Sequence, residues 1–180
     1  MSTLYVDTIN EKTSGNGVYI PGHVVQVVNT VKTDVFTASL NSTRVAITGL
    51  SASITPRSTS SKILVMPTLF LSPDVATFQH MYLYRDGSEV TGARGDAAGN
   101  RGRDYGMLYT GVNSDAFGQN IVLPTYSDSP STTSSTTYQI YVGDPNNSGG
   151  TFYLNRLKRD DDQVYEPRCI SSITLMEIAQ

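Results

Sequence analysis

Between Thr137 and Gly143 the chain alternates, with Tyr138, Ile140 and Val142 on one side of an extended backbone and Gln139 and Tyr141 on the other. Successive side chains of a strand leave opposite faces, so this pattern forms a half-buried strand and cannot sit still as a helix. The segment Phe78 to Arg85 repeats it, setting Met81 and Leu83 against His80, Tyr82 and Tyr84. No ten-residue stretch carries helical periodicity. Similar segments, bounded by Gly, Asn, Asp, Ser and Pro clusters, run the length of the chain: Leu4 to Ile9, Val24 to Val31, Arg44 to Thr48, Lys62 to Leu71, Gly106 to Thr110, Gln119 to Tyr126, Thr151 to Asn155 and Ile170 to Ile178. Eight to ten strands in one domain predict an all-β antiparallel β-sandwich, jelly-roll-like, rather than a propeller. The tyrosines of the Phe78 segment are first read as sandwich or subunit packing and only second as a ligand platform.

The 180 residues suffice for one domain with a sizeable core and leave little room for a second. Only 16% are charged, fewer than surface helices usually need. The net charge of -3 gives no drive toward phosphate backbones or anionic membranes, so neither nucleic acid nor membrane insertion is expected. The apolar runs fall short of the roughly 20 residues that cross a bilayer. The opening Met1-Ser2-Thr3-Leu4 lacks a secretory pattern, which predicts synthesis in a cytoplasm and export only as part of an assembly.

The first 22 residues read differently from the rest. Positions 6 to 22, VDTINEKTSGNGVYIPG, spell a short strand, a polar Asn16-Gly17 turn, another short strand and a Pro21-Gly22 stop. A two-stranded ribbon is marginal in water, so this leader must pack against the domain, a copy of itself or another protein. Leu4, Val6, Ile9, Val18 and Ile20 are its candidate attachment and oligomerisation residues. The boundary divides an attachment segment, 1–22, from a head domain, 23–180.

The residues offer no chemistry. His23 and His80 lie in no metal-binding or nucleophile-activating spacing, so no enzyme is expected. Cys169 is the only cysteine, which rules out an internal disulfide and reads as a small buried hydrophobe. Asp160-Asp161-Asp162 attracts attention as a cation site, but Arg156, Lys158 and Arg159 are competing counter-ions, and the run reads as a solvated loop. No metal or other cofactor is expected. Arg94-Gly95-Asp96 and Asn41-Ser42-Thr43 are short patterns without supporting context; the second is only a turn.

Two loop-rich regions remain, Asp86 to Asp104 and Asp128 to Thr136. Loops at sandwich ends often carry binding. The candidate receptor-facing residues are Arg94, Asn100, Arg101, Arg103, Tyr105, Ser131 and Thr133.

Leu4, Val6, Asp7, Thr8 and Ile9, then Gly15-Asn16-Gly17, then Pro21-Gly22 before the Val-rich His23 to Val28 resemble a module of tail-fibre and other appendage proteins of cyanophages and related marine phages. The resemblance continues through Thr48-Gly49-Leu50, Ile54-Thr55-Pro56, Gly95-Asp96, Asn100-Arg101, Asp128-Ser129-Pro130, Tyr153-Leu154-Asn155-Arg156 and the closing ISSITLMEIAQ. It implies a virion structural protein assembled in the host cytoplasm, a homotrimer with a sandwich head. The leader would join other virion proteins, and the head would meet host surface glycan. The alternative is a neck or head fibre or a capsid decoration with a mechanical role.

Overall fold

The computed structural model describes residues 5–10, 18, 20–72, 78–109 and 119–180. Among these described residues, twelve strands form two antiparallel sheets. In chain order they are β1 (Val24–Lys32), β2 (Phe36–Leu40), β3 (Val45–Ile54), β4 (Lys62–Ser72), β5 (Phe78–Arg85), β6 (Ser88–Glu89), β7 (Gly106–Tyr109), β8 (Gln119–Val122), β9 (Tyr126–Asp128), β10 (Thr136–Gly143), β11 (Gly150–Leu154) and β12 (Ser171–Ile178). One sheet runs β1-β12-β4-β11-β2, with β8 and β9 on the other side of β4. The second runs β3-β10-β5-β6, with β7 also on β5.

The expected all-β antiparallel sandwich is present. Its two sheets have seven and five strands.

β4 is the spine of the larger sheet. Its Pro67 has no N–H to donate, and the facing chain is interrupted there: β8 stops at Val122, β9 starts at Tyr126, and between them Leu123 N donates to Pro67 O at 3.2 Å. The core lies between the sheets, where Ile47, Ile63, Leu83, Tyr138, Ile140, Phe152 and Ile173 are all but sealed from solvent. β10 buries Tyr138, Ile140 and Val142 and leaves Gln139 and Tyr141 on the outer face, as its alternation requires.

Several resemblance motifs turn out to hold this frame together. Asn155 sits at φ 61° just after β11; its Nδ2 donates to Lys32 O at 2.8 Å and Asp34 O at 2.9 Å, and its Oδ1 accepts from Ser171 Oγ at 2.7 Å. Gly49, at φ +81°, lets β3 kink where its register with β10 shifts between Gln139 and Tyr141. Asp128 accepts from Arg85 and Tyr138. Asn41 Oδ1 accepts from Thr43 N at 2.7 Å, forming the expected turn.

Three sequence expectations are corrected. Of the expected strand Leu4 to Ile9, the described residues 5–9 form no strand. β2 was not anticipated, and the expected strand Gln119 to Tyr126 is divided into β8 and β9 by the break opposite Pro67. Cys169 is only half-buried. Leu4, the Gly15-Asn16-Gly17 turn and Thr110 lie outside the described residues.

Candidate functional site: the polar face of the five-stranded sheet

β5 turns Phe78, His80, Tyr82 and Tyr84 away from the core, and β10 turns Gln139 and Tyr141 the same way. Register sets Tyr141 opposite Tyr82 and Gln139 opposite Tyr84, so Tyr84 and Tyr141 are diagonal neighbours. Their rings stack with centroids 3.8 Å apart. Arg44, in the turn before β3, lays its guanidinium 3.7 Å from the centre of the Tyr82 ring. Its Nη1 also lies 2.8 Å from Glu89 Oε2 and donates to the Tyr84 hydroxyl at 3.4 Å.

The chain after β6 lies across the His80 end of this face. Arg94 Nη1 reaches Glu89 Oε2 at 3.2 Å, and Asp104 Oδ2 lies 2.7 Å from His80 Nδ1. A Cβ at Gly102 would meet Asp104 and His80, so the backbone passes close over the imidazole. His80 is consequently buried rather than partly covered. Burial, with the Asp104 charge added, pushes the Tyr82 hydroxyl up to about 12. Glu89 Oε1 and His80 Nε2 are buried without a hydrogen-bond partner among the described residues.

Stacked phenol rings, an amide and an Arg–Glu pair on a shallow sheet can pack against a flat ligand and hydrogen-bond to its rim.

The sequence-derived candidates are dispersed. Arg94 is held by Glu89, and Arg103 Nε donates back to Gly95 O at 2.8 Å. Asn100 and Arg101 are exposed, with the Arg101 side chain donating to Ala98 O. Tyr105 is corrected: it is buried in the core cluster and its hydroxyl donates to Pro124 O, because β5 accepts its backbone N–H at Met81 O and turns the ring inward. Ser131 and Thr133 are exposed on the loop between β9 and β10. In the leader, Val6, Ile9 and Val18 are exposed and Ile20 is half-buried.

The leader and the loop from Asp128 to Thr136 share one end of the sandwich. Gly22 N donates to Ala179 O at the mouth of β1. Val24 pairs with Ile178 and Ile178 with Lys62, while Ile63 pairs with Asp128 and Ile54 with Thr136. Gln26 Nε2 donates to Thr55 O at 2.7 Å, tying the two sheets at that end. Arg44 and Glu89, central to the polar face, escaped sequence reading because 45 positions separate them and no local pattern joins them. At Asp160–Asp162 the acidic run is met by Arg156, Arg159 and Arg168, so Arg156 and Arg159 act as the anticipated counter-ions.

No protein-family model and no curated protein matches the chain. Among solved structures, one of infectious bursal disease virus, Gx strain, is similar with a TM-score of 0.37 and 13% identity, over 87% of this chain and 38% of that one. The chain thus spans well under half the length of that relative. The fold assignment rests on the strand pairing.

Proposed function

We propose that the chain is a non-enzymatic structural component of a phage particle: a short tail-fibre-type appendage subunit, joined to other virion proteins by its leader and forming a homotrimer. One observation carries this reading. Val6 and Ile9 are 52% and 59% exposed on a segment without strand structure of its own, so apolar side chains are presented where only another polypeptide can cover them. The resemblance to phage appendage modules supplies the kind of assembly. The head meets host surface glycan with the polar face around Tyr84 and Tyr141, together with Asn100 and Arg101.

The test is incorporation. The chain is expected in purified particles, and Val6→Asp with Ile9→Asp is expected to remove it from them while its circular dichroism stays unchanged. Absence from particles, or undiminished incorporation of the variant, overturns the reading.

The shared end of the leader and the loop 128–136 favours a second reading, a neck or capsid decoration. A chain anchored by its leader turns Ser131 and Thr133 toward the particle rather than the host. Adsorption separates the two. Loss of host binding in Tyr84→Ala with Tyr141→Ala supports attachment, whereas unchanged adsorption by particles that fall apart on mild heating supports decoration.

A further inference from the structure

The opposite side of the sandwich has a different character. On the outer face of the seven-stranded sheet, register aligns Val27 with Met176 and Leu64, Asn29 with Thr174 and Met66, and Val31 with Ser172, Thr68 and Val122. Val27 is 54% exposed and Val122 75%. Among the outward side chains of β1, β12, β4 and β8, Lys62 at one corner is the one charged group; Arg156 lies beyond the patch, over Tyr153 of β11. Such a continuous, nearly uncharged patch is unusual on a free surface. It ends at β1, a nine-residue edge strand of the sheet. The outward side chains of β1 include no charge and β1 contains no proline, so it lacks the usual devices that keep edges apart.

We propose that this face is the contact between copies of the chain. A second copy is the occupant because it brings a surface with the same lack of charge, leaving no buried ion to compensate. The leader enters directly into β1, so copies joined through this face in parallel bring their exposed Val6 and Ile9 side by side. Size points the same way. Four strands about 4.8 Å apart and seven residues at about 3.3 Å make a patch of roughly 450 Å². A stable interface takes about 800 Å² from each partner. The face alone falls short, and the exposed Val6 and Ile9 of the same copies add further apolar area on assembly. The inference deepens the reading of the chain as an assembly subunit and rests on it only for the parallel leaders.

Sedimentation equilibrium of the full chain tests it. The wild type is expected at a multiple of its 19.5 kDa, three-fold if the trimer holds. Val27→Glu with Val122→Glu is expected to raise the dissociation constant at least about a hundredfold, since carboxylates would be buried against apolar groups. Val164→Glu, 99% exposed elsewhere, is expected to change nothing. A wild type at 19.5 kDa at every concentration, or a double variant with wild-type mass, overturns the proposal. Should the double variant misfold, hydrogen exchange of the wild type decides: amide protection in β1 and β8 rises with protein concentration if the face is buried between copies, and concentration-independent protection overturns it. A monomer that still enters particles sinks this interface and leaves the assembly reading standing; an oligomer absent from particles does the reverse.

Discussion

The Tyr138 hydroxyl, inside the core, donates to Asp128 Oδ2 at 2.6 Å, and Arg85 Nη1 approaches the same oxygen at 2.5 Å. One buried carboxylate thereby ties β9 in one sheet to β10 and β5 in the other. Asp128→Ala leaves a sealed hydroxyl without an acceptor, and removing one partner of a buried polar cluster costs the desolvation of what remains. A loss of about 2–4 kcal/mol is expected. Urea unfolding measures it; a change below about 0.5 kcal/mol, ordinary for a surface substitution, would contradict the arrangement.

Alkaline pH should find the buried tyrosines. Burial raises the hydroxyls of Tyr105 and Tyr138 well above their ordinary value, and that of Tyr82 to about 12. In the unfolded chain they ionise near 10. The unfolded state therefore releases protons first, and the stability these groups contribute is complete below about pH 10 and declines as pH rises through 12. Urea midpoints followed across that range should fall, and Tyr138→Phe should flatten the fall. A midpoint independent of pH up to 12 would show that the hydroxyls are not enclosed.

Arg44→Ala should loosen the polar face without opening the core. The guanidinium is partly exposed, so its contact with Tyr82 and its Glu89 pair together contribute about 1–2 kcal/mol. Arg44→Lys keeps the charge but loses the planar stacking, and should recover only part of this. Thermal unfolding of both variants tests the order; full recovery by lysine would mean that charge alone matters.

Asn155→Ala removes two donors and one acceptor from a site sealed against water. It leaves the carbonyls of Lys32 and Asp34 without those donors. The expected cost is about 3 kcal/mol, accompanied in hydrogen exchange by faster opening of β2 and the start of β12. Exchange unchanged in those strands would show that the asparagine is dispensable.

The reach of sequence reading varied by element. β5 was bounded correctly at both ends, and β10 and β12 within a residue, because their alternation is a local property of the chain. β2 was missed because it is only five residues long; the alternation of Phe36, Ala38 and Leu40 with Thr37 and Ser39 is the signal that could have found it. Tyr105 was misplaced for a related reason: its neighbours Arg103 and Asp104 are polar, and only the bond from its N–H to Met81 O reveals that it turns inward.

From the sequence by itself came the all-β class and the facing of the main strands. These follow from side-chain period, turn residues and segment length, which act over a few positions. The tertiary structure alone decided that Arg44 meets Glu89 and Tyr82, that the leader and the loop 128–136 leave by the same end, and that β1, β12, β4 and β8 turn only Lys62 among their charged residues to the outside. Each of these depends on which strands become neighbours, and that is settled by the joint burial of both sheets rather than by any stretch of chain.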